Sequence, residues 1–379
     1  MKKILISLVF ISFLFLSCSS DDSKEQINEE ELITNKLQEI VDSKVGTNKL
    51  VGVSISIRID GEERWSLQGG ISQTDQPVES DMKFGIGSIT KPVVAATIMK
   101  LVDEGILSLE DSIGDWLDLN SPNVNNTVTI FQLLNHFTGI DGYMYTELWE
   151  RAEANLETPI PQIELVDYIG SPSNEPGVTH EYSNSNYLLL GLIIEEATGK
   201  TVGEVMREKF WTPLNLTNIY FGANEVIPEP ICTPWRDNNG DGALEDIKDD
   251  FGAAFHSIFY CAADVFSTAS DLSMWAEHLY GGNAISEDSK QKMMTSYFDY
   301  GHPIYIGYGL GARKNIYAGK VMWGHTGGMR GYGTHMFYNL EKRVSIVSLN
   351  NQSRSENGPV LRHELVEELL TVVFNYIDN

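Results

Sequence analysis

The chain has few basic residues for its number of acidic ones. Its 379 residues include 27 lysines and arginines against 53 aspartates and glutamates, so its formal net charge is −26. A surface this acidic repels phosphate backbones, which excludes nucleic acid as an expected partner. The hydrophobic content of 42% argues against a disordered chain.

Cysteines and clustered histidines are also scarce. Of the three cysteines, Cys232 and Cys261 lie far from the N-terminus, and two outcomes are equally weighted for them. In an exported protein they can form a disulfide, or they can remain as two buried thiols. The eight histidines contain no H-x-x-x-H pair, so no zinc site is expected.

Residues 1–17 have the features of an export signal, because two lysines precede an apolar run too short to span a bilayer comfortably. The run ends in F-L-S-C-S-S-D-D and resembles bacterial lipoprotein signals, in which the lipid is carried by a cysteine, here Cys18. Phe15 departs from the leucine usual at its position, and an ordinary secretory signal is the alternative. Residues 18–31 are polar and acidic, as expected of a tether. We therefore expect a lipid-anchored protein of the cell envelope, either periplasmic or displayed on the surface.

Beyond the tether, strand and helix patterns lie at the two ends of the chain. Residues 51–57 alternate apolar and polar side chains, which predicts a half-buried strand, and an Asp-Gly turn leads into a partner strand. A second strand pair is predicted over residues 332–351. Apolar stripes at helical spacing predict one helix over residues 30–44, with its stripe between Leu32 and Val41, and another over residues 358–377.

The middle of the chain, residues 89–289, has mostly helical patterns broken by polar loops. This order predicts an α+β fold, in which an antiparallel sheet is flanked by the N- and C-terminal helices and a large, mostly helical region is inserted between its strands. One domain is expected over residues 32–379. Its α/β part is formed by residues 32–88 and 290–379.

The segment F-G-I-G-S-I-T-K-P-V-V-A-A-T-I-M-K, which begins at residue 84, places a serine three residues before a lysine at the head of an apolar helix. This spacing puts Ser88 and Lys91 on one helical face, and Pro92 is tolerated in a first turn. Desolvation at the edge of the core lowers a lysine's pKa, so that Lys91 can accept a proton from Ser88. A helix cap followed by a lysine that extends to solvent is the alternative.

Two further motifs follow in order. Y-S-N at residues 182–184 precedes a second apolar helix, and H-T-G at residues 325–327 begins a strand. With the S-x-x-K motif, they make the chain resemble the serine β-lactamase and penicillin-binding protein superfamily, in the branch of class C β-lactamases, D-alanyl-D-alanine carboxypeptidases and related esterases. The resemblance extends over about residues 51–351, and it includes L-L-N-H-F-T-G-I at 133–140 and the helix pattern at 265–282.

This resemblance implies roles for three catalytic residues. Ser88 would be the nucleophile that forms an acyl-enzyme. Lys91 and Tyr182 would share the general-base role, and the Lys91 cation would favour the ionised phenol by lowering its pKa. No cofactor is implied.

The resemblance also implies a set of substrate-binding groups. Asn184 would bind the amide of the substrate, and the backbone N–H groups of Ser88 and Gly328 would form an oxyanion hole. His325 and Thr326 would bind the substrate from the third motif.

The histidine of this motif is a departure, because lactamases usually have lysine at that position. Carboxypeptidases and esterases of the branch often carry H-T-G, which favours these activities over an efficient lactamase. If His325 binds a substrate carboxylate as a cation, affinity should weaken as the pH rises through about 6.5. Arg330 is a second candidate for that charge, with a plain surface arginine as the alternative.

One loop has the spacing of the first half of a calcium site, formed by Asp237, Asn239 and Asp241. The twelfth position of such a loop is normally glutamate, but here it is Lys248. A solvated acidic loop is therefore favoured over a structural calcium ion.

The sequence thus predicts an exported serine hydrolase that acts through an acyl-enzyme on a small peptide, a β-lactam or an ester. A D-alanyl-D-alanine carboxypeptidase-like or β-lactamase-related enzyme is the leading interpretation. The alternatives are a small-ester esterase of the same fold and a non-catalytic lipoprotein binding module. The three intact motifs favour catalysis, but fold analogy alone does not select a substrate. The oligomeric state is left open.

Overall fold

The computed structural model describes residues 22–353 and 358–379. The expected signal peptide and Cys18 therefore lie outside the described residues. The strands are β1 (Gly52–Ile59), β2 (Glu62–Gln73), β3 (Gln76–Pro77), β4 (Phe84–Gly85), β5 (Ile219–Phe221), β6 (Trp235–Arg236), β7 (Glu245–Asp246), β8 (Val265–Ser267), β9 (Tyr305–Tyr308), β10 (Arg313–Tyr317), β11 (Lys320–Met329), β12 (Tyr332–Asn339), β13 (Val344–Asn350) and β14 (Gln352–Ser353). The helices are α1 (Asp22–Lys44), α2 (Thr90–Asp103), α3 (Ile113–Trp116), α4 (Ile130–Asn135), α5 (Thr146–Ala154), α6 (Asn184–Thr198), α7 (Val202–Met206), α8 (Ala253–Ala263), α9 (Ala269–Ala276), α10 (Glu287–Met293) and α11 (Gly358–Asp378).

The main sheet has the strand order β3-β2-β1-β13-β12-β11-β10-β9. Every neighbouring pair is antiparallel. Strands from the beginning of the chain thus pair with strands from its end, and the helical region leaves and re-enters between them. The predicted α+β fold class is confirmed.

One face of the sheet is covered by α1 and α11, which contact each other as well as the strands. Lys44 at the end of α1 forms ion pairs of 2.8 Å with Glu364 and Glu368 of α11. The buried side chains of this layer are mainly aliphatic, and they include Leu37, Val41, Ile55, Ile57, Ile346, Leu365, Leu369 and Val373.

Helix α1 begins at Asp22 and is therefore longer at its N-terminus than the sequence pattern predicts. Residues 22–31 of the expected tether are therefore helical. Leu32, expected on the buried stripe, is 67% exposed.

The other face of β1 is buried too, so the prediction of a half-buried strand is wrong. Ser56 lies 2.7 Å from Ser273 of α9, measured between their hydroxyl oxygens. Arg58 donates from Nε to the Glu277 carboxylate at 3.1 Å. The alternation in β1 separates two buried layers, one apolar and one polar, because the inserted helical region covers the second face.

In the helical region, α2, α6 and α8 pack together. Strands β4, β8 and β5 form a small sheet beside them, which anchors the start of α2. Cys232 and Cys261 are both buried free thiols, so the second of their two expected outcomes is the one found. None of the helices in the described ranges has the length and apolarity that a membrane crossing requires.

Candidate active site

Ser88 lies in a single turn of 3-10 helix, Gly87–Ile89, between β4 and α2. Strand β8 holds this turn on both sides, since Ile86 N–H donates to the Val265 carbonyl at 2.9 Å and Val265 N–H donates to the Thr90 hydroxyl at 3.1 Å. Ser88 is partly exposed, whereas its neighbours in the turn are buried. The turn therefore presents one hydroxyl at the surface.

Gly87 brings the backbone of the third motif against this turn. Its φ is +56°, and a Cβ atom at this position would come within 2.7 Å of the backbone atoms of Gly328. Gly328 is exposed, and nothing lies within 4 Å of the direction its own Cβ would take. The expected oxyanion hole needs the backbones of Ser88 and Gly328 to be adjacent, and the structure brings these two segments together.

Lys91 is fully buried behind the serine. Its Nζ lies 2.7 Å from the Ala262 carbonyl oxygen, 2.8 Å from Asn184 Oδ1 and 3.3 Å from Ser88 Oγ. Burial lowers the pKa of Lys91 well below 10.5, and the nearby Arg313 cation lowers it further. The two carbonyl oxygens can only accept hydrogen bonds, so a neutral Lys91 amine uses both its hydrogens on them. Its lone pair then points at the serine hydroxyl, which is the arrangement of a general base.

Tyr182 packs beside this lysine, whose Nζ is 4.9 Å from the centroid of the phenol ring. The Tyr182 hydroxyl oxygen is buried, and the Ser88 hydroxyl is the hydrogen-bonding group that acts on it. Burial raises the pKa of Tyr182 to about 12, although Arg313 and the Ser88 hydroxyl oppose the rise. These shifts favour a protonated Tyr182 and a neutral Lys91, whereas the resemblance implied an ionised phenol beside a lysine cation.

Arg313 on β10 is a site residue that the sequence motifs do not identify. Its guanidinium carbon is 5.6 Å from the centroid of the Tyr182 ring, and its NH1 group donates to the Thr326 hydroxyl at 3.2 Å. It is partly exposed, and it has no ion pair among residues 22–353 and 358–379. It pairs across the strands with Gly324, so only the register of β10 against β11 could have placed it here.

Arg330, the second candidate for the cation that binds a substrate carboxylate, is paired with two acidic residues of this chain. It forms ion pairs with Glu153 at 3.1 Å and with Asp250 at 2.9 Å. Its charge is thus neutralised by its neighbours, whereas Arg313 has no acidic partner within the described part of the chain.

Asn184 begins helix α6 and faces Lys91. Its Oδ1 accepts from Lys91, and its Nδ2 has a long contact of 3.5 Å with Met144 Sδ. The side chain therefore holds Lys91 through one end. The amide nitrogen, expected to meet the substrate, has only this weak sulfur partner among the described residues.

His325 does not reach the surface. It is fully buried, its Nδ1 lies 2.5 Å from the Thr326 carbonyl oxygen and its Nε2 lies 3.3 Å from the Tyr308 hydroxyl. Burial, together with the Arg313 charge, lowers the pKa of His325 well below 6.5. A buried, neutral ring with both nitrogens engaged does not fit the expected role of a carboxylate-binding cation.

The candidate calcium loop uses its oxygens internally. Asp237 accepts from the backbone N–H groups of Gly240 and Gly242 at 2.6 and 3.0 Å. Asp241 Oδ1 accepts from Ala243 N–H at 2.7 Å. In the described ranges, no three His, Cys, Asp or Glu side chains converge in a way that would hold a metal ion.

A partly exposed serine, a buried lysine of lowered pKa and a phenol next to both define the site as that of a serine hydrolase. The beta-lactamase family model matches residues 37–370. The chain therefore belongs to the beta-lactamase family.

Individual relatives agree with this assignment. A Bacillus subtilis (strain 168) penicillin-binding protein is 27% identical, over 73% of this chain and 62% of its own length. An unguisins hydrolase of Aspergillus campestris (strain IBT 28561) is 24% identical, over 88% of this chain and 65% of its own length. The chain thus spans less than two thirds of each of these proteins.

The fold has close structural neighbours. A D-amino acid amidase from Ochrobactrum anthropi SV3, in a complex with L-phenylalanine amide, superposes with a TM-score of 0.80 at 24% identity, and the match covers 91% of this chain and 99% of the amidase. At this identity the likeness describes the fold alone.

Proposed function

We propose that the protein is an exported serine hydrolase that forms an acyl-enzyme at Ser88 and prefers amides whose leaving group carries a carboxylate. D-alanyl peptides and β-lactams are the substrate classes with this chemistry. A D-alanyl-D-alanine carboxypeptidase-like enzyme is thus the function that the site supports best.

The observation that carries this proposal is the position of Arg313. Its guanidinium lies next to the Thr326 hydroxyl and the Tyr182 ring, and no carboxylate among the described residues pairs with it. The groups that shift the pKa values of Lys91, Tyr182 and His325 include Arg313 in each case and no carboxylate. In a chain of net charge −26, such a locally positive site is suited to an anion, and the planar guanidinium matches a carboxylate in particular.

The contacts of the site suggest the order of proton transfers. Lys91 takes the Ser88 proton as the hydroxyl oxygen attacks the substrate carbonyl, and the Ser88 and Gly328 N–H groups stabilise the oxyanion. The protonated Tyr182 hydroxyl then donates to the leaving nitrogen, and it regains a proton from Lys91. Water repeats the cycle on the acyl-enzyme.

Arg313→Ala tests the substrate class. With Arg313 absent, kcat/KM for a carboxylate-bearing D-alanyl peptide should fall by about tenfold to a hundredfold, the usual scale for a hydrogen bond to a charged group. On the alkaline plateau, where loss of the Arg313 charge no longer changes the protonation of Lys91, a neutral ester should change by less than about threefold, because it offers no carboxylate. Arg330→Ala is the matched control, and both substrates should retain near-normal rates in it.

Two results would argue against the proposal. An equal loss for both substrates would assign Arg313 a general structural role and favour an esterase. Intact-protein mass spectrometry with a fluorophosphonate tests the acyl-enzyme separately, and labelling at any serine other than Ser88 would contradict the mechanism itself.

The cellular location is a separate proposal, which rests on the sequence of residues 1–31. We propose that the mature chain begins at Cys18 and is held at the membrane by lipid on this residue. Fatty-acid labelling of the expressed protein should be lost in Cys18→Ala. Recovery of a soluble mature protein with a different N-terminus would contradict the anchor.

A further inference from the structure

A continuous path of hydrogen bonds lies behind the catalytic side chains and joins four separate segments of the chain. It starts in the loop after α4, crosses the first turn of α6, passes through β9 and ends on β11. The five side chains that form it are all buried, and they are Thr138, Asn186, His136, Tyr308 and His325.

The first half of the path has a fixed direction. Ile140 N–H donates to Thr138 Oγ1 at 3.1 Å, so the Thr138 O–H is free to donate to Asn186 Oδ1, 2.8 Å away. This contact fixes the amide orientation and turns Asn186 Nδ2 towards His136 Nδ1, at 2.9 Å. Ser183 N–H also approaches His136 Nδ1, at 3.3 Å. The His136 Nδ1 atom is therefore an acceptor, and the ring carries its proton on Nε2.

The second half is fixed from the opposite end. The Thr326 carbonyl oxygen only accepts, so His325 Nδ1, at 2.5 Å, carries a proton. His325 Nε2 then accepts from the Tyr308 hydroxyl at 3.3 Å. The same hydroxyl oxygen accepts from His136 Nε2–H at 3.1 Å. Donors and acceptors match at every step.

We propose that this directional path is the device that positions the third motif, with Tyr308 and His136 as its positioning residues. It holds His325 as the neutral Nδ1–H tautomer and fixes the Thr326 peptide of β11 beside Arg313 and the Gly328 N–H group. The effect on turnover rests on the proposed function, whereas the proton positions do not.

The path opposes protonation of His325. A second proton on its Nε2 would face the Tyr308 O–H group, which is turned towards it because His136 already donates to the same oxygen. The charged groups that face His325 are Arg313 from β10 and Lys91 from α2, and both disfavour another cation. Tyr182 faces it only through its ring. His325 should therefore stay neutral over the range in which free histidines titrate.

Imidazole nitrogen NMR of the full mature chain tests the proton positions directly. From about pH 5.5 to about pH 8.5, His325 should carry its proton on Nδ1 and His136 on Nε2, and neither ring should titrate. A proton on His325 Nε2, or a His325 titration inside this range, would overturn the proposal.

Tyr308→Phe removes the central hydroxyl. We expect kcat to fall by about tenfold to a hundredfold, the scale of a small displacement of a reacting group, while Ser88 remains reactive towards a fluorophosphonate. The imidazole signals of His325 and His136 should also shift, because His325 Nε2 loses its donor and His136 Nε2 loses its acceptor. Tyr280→Phe is the matched control, because the Tyr280 hydroxyl is buried with no hydrogen-bond partner in the described residues. Wild-type kcat and imidazole signals in Tyr308→Phe would refute the positioning role.

A substitution at the other end of the hydrogen-bonded path, at Thr138, tests the proposal even if Tyr308→Phe does not fold. Thr138→Val removes the donor to Asn186, and it should shift the imidazole signals of His136 and His325. Thr138→Ser keeps the hydroxyl and should restore them. Unchanged signals in Thr138→Val would mean that the path is not coupled. If the proton positions are as expected but fluorophosphonate leaves Ser88 unlabelled, the proposed function fails and the path stands.

Discussion

The two layers on either side of the main sheet are held together in different ways. The layer under α1 and α11 relies on aliphatic packing, with ion pairs only at its edge, as between Lys44 and Glu364. The boundary with the helical region instead buries polar side chains in directional hydrogen bonds, as Lys91 and His325 illustrate. Apolar packing tolerates changes of shape if volume is kept, whereas a buried polar group tolerates few partners. Stability and chemistry should therefore be separable by mutation.

The largest separation is expected for Ser88→Ala. This change removes the nucleophile, so covalent labelling by a fluorophosphonate should be abolished. The thermal unfolding midpoint should stay nearly unchanged, because the hydroxyl is at the surface of the turn and its removal creates no cavity. Labelling that persists at another serine would show that the nucleophile is misassigned.

Tyr182→Phe should reduce the acylation rate by at least about a hundredfold, the usual scale for loss of an acid–base group. The fold should persist, since the ring keeps its packing beside Lys91 and His136. Tyr317→Phe makes the same change in the layer under the terminal helices, where the Tyr317 ring is buried. It should leave acylation intact. Near-wild-type turnover in Tyr182→Phe would leave Lys91 as the sole acid–base residue.

The pH profile distinguishes the two candidate bases. The pKa of Lys91 lies well below 10.5, so its neutral form becomes the major one at a lower pH than in a free lysine. Acylation by a neutral ester should therefore rise about tenfold per pH unit below that pKa and then level off. Tyr182, with a pKa of about 12, stays protonated on this plateau. A rate that keeps rising towards pH 12 would identify the Tyr182 phenolate as the base.

The smallest effect on acylation is expected for Leu369→Ala, in the layer under α11. Truncating this buried side chain should lower the free energy of unfolding by about 2–5 kcal/mol, through lost burial and the cavity left behind. Acylation by the folded fraction should stay at the wild-type rate. A specific loss of kcat without loss of stability would show that the two layers are not independent.

The sequence was sufficient for the parts of the site that depend on local spacing. A serine and a lysine three residues apart meet on one side of a helical turn wherever that turn is placed, so Ser88 and Lys91 were identifiable. The terminal helices could be predicted in the same way, since the stripe of Leu365, Leu369 and Val373 follows the helical period.

The other parts of the site depend on contacts between segments that are distant in the sequence. Arg313 reaches the site only because β10 pairs with β11 in one register, and no local pattern encodes that register. His136 sits at the C-cap of α4 with φ of +61°, a conformation that turns its ring towards Tyr308 and Asn186 from a distant part of the chain. The burial of the polar face of β1 likewise required knowledge of what α9 covers.

The contact between the Ser88 turn and the end of the sheet has a consequence for synthesis of the protein. The Thr334 hydroxyl donates to the Ile86 carbonyl at 2.8 Å across a sequence separation of 248 residues. During translation the nucleophile thus emerges long before the strands that complete its surroundings. A nascent chain that lacks β11 and β12 has Ser88 without the Gly328 backbone proposed to complete the oxyanion hole, so reactivity should appear only when the last strands have been released. The time at which Ser88 first becomes labelled would then report when the fold is complete.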